Sequence, residues 1–432
     1  MADVSTHESG ARPVSLKKRM LVGAPGLYRA FAAAYRGLMR LIGALAAARY
    51  IAGLALTGAN RRRPAGDTGS GVRIVLDGCI FQDRPFGIAR LWRAIMAEWS
   101  REGFANHVIV LDRGATAPRL PGFTYRRVPR LRAYDSASGR AMLEAVCRTE
   151  SADLFISTHY TYPAKTRTLL YLYDMTPEMG GWDLDQPVWR EKAGAIAHAS
   201  AYACLSRNTL DDLLGLHPEV RDRPHPLVLP GVEPTFVAAA PDEVARLVRE
   251  LDLPTRYYLF IGHRDHYKNA ELLFDTLPLL QDVEDIGLLL IGGAPRLESS
   301  FAERPGRIPT RIANLSDDEL RAAYGGAAAL LYLSRYEGFG LPILEAMACG
   351  CPVITCRNSS LPEAAGDAAL YVDSDNPESL RQAMLTVLEP TVRADLIRRG
   401  FERAPGFRWR DSAEALARAI RDTAADGNRV PR

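Results

Sequence analysis

The chain has 432 residues, 47% of them hydrophobic and 24% charged, with a formal net charge of +3. That composition gives a globular protein room for two ordinary domains and excludes a fibrous, low-complexity or wholly disordered chain. Six cysteines, at 79, 147, 204, 349, 351 and 356, show neither paired metal-ligand spacing nor the density of a disulfide framework, which fits a reducing compartment.

The charge is unevenly spread. Residues 11–66 hold eleven Arg and Lys and no Asp or Glu, so the rest of the chain is net acidic. Within this basic arm residues 26–45 are amphipathic. On a helical wheel Leu27, Phe31, Leu38, Leu41, Ile42 and Leu45 fall on one side, and Arg29, Arg36 and Arg40 on the other. A basic amphipathic helix suits an anionic membrane surface. Arg49 interrupts the apolar run, whereas a crossing needs about 20 apolar residues. Asp3 and Glu8 make the start too acidic for a secretory signal. The alternative is a helix packed on the protein's own body or on another subunit. No nucleic-acid partner is expected, because no reading motif accompanies the positive charge. Residues 60–71, with an Arg triplet, Pro64 and glycines, read as a linker.

Beyond it, short apolar runs alternate with helical patterns. Strands are expected at 72–77, 107–112, 153–157, 168–174, 201–206 and 227–229. A second set follows at 257–262, 287–292, 328–334, 352–356 and 370–373. Such alternation predicts parallel sheets covered by helices, here two doubly wound α/β domains. Their junction is expected near 230–241, where Pro, Gly and Ala cluster. The expected division is an arm and linker over 1–70, a first domain over 71–235, a second over 236–425 and a tail over 426–432. Ligands of such sheets bind at the strands' carboxyl ends, so two facing domains close one cleft.

The most informative stretch is 335–345. Glu337 and Glu345 lie eight residues apart, with Gly338, Gly340 and Pro342 between them. An apolar strand precedes, and a helix over 341–349 follows, with Pro342 in its first turn and Gly350 at its end. Free N–H groups at a helix start favour an anion. Glycines let a ligand approach the backbone. Helical side chains lean toward the N-terminus, which turns Glu345 back to the same ligand. Carboxylates beside phosphate repel it, so these two are expected to accept protons from hydroxyls. A ligand with a central diphosphate and a polyol at each end meets all three demands. In Gly262-His-Arg-Asp-His-Tyr-Lys268, Arg264 and Lys268 stand four apart and supply two cations for such a diphosphate.

The 335–345 segment is similar to the signature of glycosyltransferase family 4, a retaining family with the GT-B fold. The likeness continues through residues 346–354 and 361–366. It recurs at 258–269, at Tyr173-Asp-Met-Thr-Pro-Glu178 and at Trp189-Arg-Glu-Lys192, and covers roughly 72–425. The resemblance implies a GT-B α/β fold and transfer of a hexose of the mannose, rhamnose or glucose type. The donor would be a UDP-, GDP- or dTDP-sugar and the acceptor a hydroxyl of a glycan or lipid-linked saccharide in surface polysaccharide synthesis. No metal and no further cofactor are implied. The location expected is cytoplasmic, with a peripheral position on the inner face of the membrane as the option the basic arm adds. By resemblance Arg264 and Lys268 bind the diphosphate and Glu345 the ribose. Glu337, with the amides of Gly338, Phe339, Gly340 and Leu341, takes the sugar hydroxyls and phosphate. Arg311 opens the stretch that meets the base through backbone, Gly87 brings backbone against the diphosphate, and Asp174 orients or deprotonates the acceptor. Three positions depart from the family pattern. His263 stands where many members have the arginine, Gly87 replaces a glycine pair, and Tyr173 replaces a histidine for which His159 is a candidate substitute. Those departures leave room for an inactive GT-B scaffold. A phosphorylase or an epimerase would keep the same fold.

Overall fold

The computed structural model describes residues 25–56, 71–82, 87–264 and 266–426, with side-chain placement for all but 25–29 and His266. The 60–71 linker therefore lies outside the described residues except for Gly71. An alanine- and leucine-rich run opened by Pro25 forms α1 (Pro25–Leu56).

The first lobe runs β1 (Ile74–Asp77), α2 (Gly87–Arg101), β2 (Val108–Arg113), β3 (Thr124–Val128), α3 (Ala137–Thr149), β4 (Leu154–Ser157) and β5 (Thr168–Leu172), then α4 (Thr176–Met179), α5 (Pro187–His198), β6 (Ala201–Cys204) and α6 (Arg207–Leu216). The second lobe runs α7 (Pro241–Glu250), β7 (Arg256–Ile261), α8 (Ala270–Thr276), β8 (Ile286–Ile291), β9 (Thr310–Ala313), α9 (Asp317–Gly326) and β10 (Ala329–Tyr332), followed by α10 (Leu341–Ala348), β11 (Val353–Cys356), α11 (Leu361–Ala365), β12 (Ala369–Val372), α12 (Pro377–Thr386) and α13 (Pro390–Arg403). A final described helix, α14, spans Trp409–Ala425.

Each lobe holds a six-stranded parallel sheet, ordered β3-β2-β1-β4-β5-β6 in the first and β12-β11-β10-β7-β8-β9 in the second. The strand order reverses beside β1 and β4 in one lobe and beside β7 and β10 in the other, and ligands of open α/β sheets sit at such reversals. The central strands are buried on both faces, which is why they read as unbroken apolar runs. The doubly wound fold expected from the sequence is the observed one.

Two edge strands escaped the sequence reading. β3 (TYRRV) and β9 (TRIA) bury little and carry no apolar run. Conversely, residues 227–229 form no strand, only an isolated bridge from Leu227 to Cys204. α14 packs on α2 of the first lobe, with Trp99 Nε1 donating to Ala413 O at 2.9 Å and Ser412 Oγ donating to Leu229 O at 2.5 Å. The chain thus crosses between lobes twice, and the crossings run side by side: Val232 N donates to Phe407 O at 3.0 Å, and a methyl group on Gly231 would lie 2.2 Å from Trp409 N.

Candidate active site between the lobes

The second lobe's wall is the loop from β10 to α10. Gly340 has φ 108°, a left-handed conformation that glycine adopts freely, and it turns the chain into α10. Pro342 fits the first turn because its missing N–H has no helical partner there. Three hydroxyl contacts pin the loop: Ser359 Oγ accepts from Glu337 N at 2.9 Å, and Ser359 and Ser360 donate to Glu337 O at 3.2 and 2.7 Å. The Glu337 side chain so held meets Lys268, with Nζ to Oε1 at 2.5 Å, and Lys268 also donates to Tyr332 Oη at 3.2 Å. Rings of Tyr267 and Tyr332 flank the ammonium at 5.1 Å each. Lys268 and Glu337 are thereby a mostly buried ion pair at the ends of β7 and β10.

Glu345 lies in the second turn of α10 and is buried. Burial pushes its carboxyl above the ordinary value, with Arg90 of the first lobe and the Tyr324 hydroxyl pulling it back. Tyr324 donates to Oε2 at 3.1 Å, and Arg90 reaches Oε1 at 3.4 Å and Asp317 at 3.8 Å.

The first lobe meets this wall at Tyr173 and Asp174. A methyl group on Gly338 would lie 2.2 Å from Tyr173 O and 3.2 Å from Asp174 Cβ. Gly338 is therefore the point where one lobe's backbone touches the other's, rather than simply an opening for ligand. Asp174 Oδ1 accepts from Thr176 N at 2.9 Å, and its carbonyl accepts from Lys192 Nζ at 2.9 Å. Lys192 is fully buried and paired with Glu178 at 2.6 Å, so the Trp189–Lys192 motif holds the Asp174 backbone in place. Two further ties cross the cleft. Tyr336 Oη donates to Asp212 Oδ2 at 2.5 Å, and Glu363 accepts the first N–H groups of α6, from Arg207 and Asn208, at 2.8 Å each. Glu363 thereby caps a helix that belongs to the opposite lobe.

Several expected residues sit differently. Arg264 does not join Lys268. Its guanidinium is wholly buried, with Nε on Glu298 at 2.9 Å and the other nitrogens on the carbonyls of Gly292, Ala294 and Arg296 at 2.6–3.2 Å. The left-handed Gly292 and Gly293 turn those carbonyls inward, and a buried cation is what satisfies them. Arg264 thus braces the 292–296 turn. The Arg311 side chain points away from the cleft, to Leu251 O at 3.0 Å and to the Asp252 carboxylate. Gly87 opens α2 with free space where a side chain would stand, and residues 83–86 before it lie outside the described residues. Phe339 is buried against Phe407, and Leu341 begins α10. Tyr173 is structural. Its hydroxyl accepts from Trp92 Nε1 at 2.6 Å and donates to Thr158 O at 2.9 Å, and burial drives its pKa far above the ordinary tyrosine range. His159 is held neutral. Burial lowers it to about 4, against the nearby Asp174 charge, and Nδ1 lies 2.8 Å from Tyr134 Oη.

The family profile described as Glycosyl transferases group 1 matches residues 255–390, the span that carries Lys268, Glu337 and Glu345. Over that span the chain is similar to group 1 glycosyl transferases. In sequence the chain resembles O-antigen chain mannosyltransferase B of Escherichia coli, 31% identical over 183 residues that make up 40% of this chain and 48% of the relative. The chain spans about half the length of the curated relatives it matches. In fold it resembles sucrose-phosphate synthase from Thermosynechococcus elongatus, with TM-score 0.64, 18% identity and coverage of 82% of this chain and 99% of that one. It also resembles the Anabaena protein HepE solved in complex with UDP-glucose, with TM-score 0.62, 16% identity and coverage of 81% and 99%. Both likenesses establish the GT-B fold.

The candidate site contains groups that the sequence reading passed over. Arg90, Tyr324, Tyr332, Tyr336, Ser359 and Ser360 come from five separate segments, so no local spacing joins them. Only Arg90 carried a signal, as a cation one turn into the helix that follows Gly87.

Proposed function

We propose that this chain transfers a hexose from a nucleotide-diphosphate sugar to an acceptor hydroxyl with retention at the anomeric carbon. The observation that carries the reading is the Lys268–Glu337 pair at the carboxyl ends of β7 and β10, one residue from the contact with Asp174. The similarity to group 1 glycosyl transferases is consistent with it. Lys268 would leave Glu337 to stabilise negative charge growing on the departing diphosphate, together with the amides at the start of α10. Glu337, so released, would accept hydroxyl protons of the sugar, and Glu345 those of the ribose. Asp174 would orient the acceptor hydroxyl. The fixed Ser359–Ser360 clamp supplies preorganisation, so little rearrangement accompanies charge development. The mannosyltransferase relative and the UDP-glucose complex of HepE favour a mannose- or glucose-type donor carried by a nucleoside diphosphate. The O-antigen chain relative favours a saccharide acceptor in surface polysaccharide synthesis, reached from the cytoplasmic side of the membrane. The boundaries proposed for the catalytic unit are 71–235 and 236–408, with α14 returned to the first lobe.

A panel of UDP-, GDP- and dTDP-sugars tests this. A productive donor present at 100 times its Kd should stabilise the protein by about 2.7 kcal/mol and raise Tm. It should also release the nucleotide when the acceptor is added. A panel in which no donor moves Tm or yields nucleotide would leave the scaffold reading in its place.

A further inference from the structure

From Phe31 to Leu45 helix α1 turns most of its large apolar side chains outward. The surface it lays on the first lobe is made partly of small residues. Ala47 is buried among Val75, Ile109, Met142 and their neighbours, Tyr50, Ile51 and Leu54 pack on the same cluster, and a methyl group on Gly43 would lie 3.5 Å from the Arg132 Cβ. Arg40, on the same side, pairs with Asp135 at 3.6 Å. Seven large apolar residues face outward: Phe31, Leu38, Leu41 and Leu45 are 60, 51, 57 and 63% exposed, with Tyr35, Ile42 and Leu56 beside them. A helix whose only neighbour were its own body would show the reverse polarity, and a contiguous exposed apolar surface of this kind marks an interface.

Charge selects the occupant. Arg36 and Arg49 on the helix, and Arg130 and Arg132 on the loop beside it, have no carboxylate partner among the described residues. Arg130, Arg132 and Arg40 line one shallow cavity along the helix flank. A second copy of the chain would bring these arginines against their own kind, whereas an anionic headgroup layer would neutralise them. The helix is long and apolar enough to cross a bilayer by length and composition. Crossing would strip Ala47, Tyr50, Ile51 and Leu54 from the lobe, so the helix lies flat.

We propose that α1 docks the protein on an anionic bilayer, with Phe31, Leu38, Leu41 and Leu45 sunk at the acyl boundary and Arg36, Arg49, Arg130 and Arg132 at the headgroups. The surface is separate from the cleft and does not depend on the reaction assigned there. Cosedimentation of the full chain with phosphatidylglycerol-containing vesicles, against pure phosphatidylcholine, reads it out. The wild type should pellet with the anionic vesicles and stay in solution with the neutral ones. Arg36→Gln and Arg132→Gln should each lower the partition coefficient by about five-fold. The doubly substituted Leu41→Glu, Leu45→Glu chain should lose binding while keeping the wild-type thermal melt, because both side chains are exposed. Undiminished binding of that double variant, or equal pelleting with neutral vesicles, overturns the proposal. So does a concentration-dependent dimer in sedimentation velocity that the double variant abolishes, if vesicles leave the wild type in solution.

Discussion

Gly338→Ala is the sharpest test of how the cleft is assembled. The glycine does not have a left-handed φ, so its own backbone tolerates alanine. The obstacle lies across the cleft, where the new methyl would stand 2.2 Å from Tyr173 O instead of the 3.4 Å or more of ordinary contact. Both atoms are anchored, Tyr173 by Trp92 and Thr158 and the 337–340 loop by Ser359 and Ser360, so the lobes must part by roughly 1 Å at this point. Overpacking of this kind costs about 1–3 kcal/mol. Each lobe keeps its own core, so Tm should fall by only a few degrees. A displacement of about 1 Å between reacting groups costs ~10² in rate. With the donor found in the panel above, kcat/KM should fall about 100-fold, while nucleotide affinity holds because Lys268 and Glu345 share one lobe. Turnover at the wild-type level would refute the reasoning. Nucleotide affinity falling in step with turnover would show instead that the glycine makes room for ligand.

Removing the cation in Lys268→Ala should lower turnover by about 10²–10³, read by single-turnover kinetics. A cycle with Glu337→Gln should show coupling of about 0.5–3 kcal/mol in thermal unfolding, because either single change leaves a mostly buried charge alone. In Arg90→Met the Glu345 carboxyl loses the charge that opposes its burial, so its pKa should climb further and nucleotide affinity, measured calorimetrically, should weaken more steeply toward acid than in the wild type. Stability against pH should reflect two opposed groups. Glu191 is raised by burial to about 7 from 4.5, so its contribution is complete below pH 4.5 and lost as pH rises through 7. His159 is lowered by burial to about 4 from 6.5, so its contribution is complete above pH 6.5 and lost as pH falls through 4. Between pH 4.5 and 6.5 they offset each other. Glu191→Gln should therefore uncover a Tm that rises with pH in that window, and His159→Asn one that falls; identical profiles for the two variants would contradict both assignments.

What could be read from the chain divides along the range of the contacts involved. Buried parallel strands announce themselves because both faces are apolar, and the loop-to-helix segment at 335–345 does so because Gly340 and Pro342 have backbone reasons of their own. β3 and β9 stayed hidden because an edge strand needs no apolar run, and α14 because nothing in its local pattern tells which lobe it will cover. The site divides likewise. Lys268, Glu337 and Glu345 follow from residue type and spacing. The task of Gly338 depends on a loop more than 160 residues away, and the burial of Arg264 depends on two glycines whose carbonyls turn inward only once β8 has been laid down. Arg90 is a first-lobe residue acting on a second-lobe carboxylate, a relation that exists only after folding.

The return of α14 to the first lobe bears on how the protein is made. Trp99 and the flank of α2 are covered by residues 409–425, so on the ribosome the earlier half of the chain emerges with that flank bare and must wait through the synthesis of the entire second sheet for its cover. During that interval the nascent first lobe presents an aromatic surface open to chaperones and to other nascent chains. A stop codon or proteolytic cut just before residue 409 would thus damage the half of the molecule that was translated first.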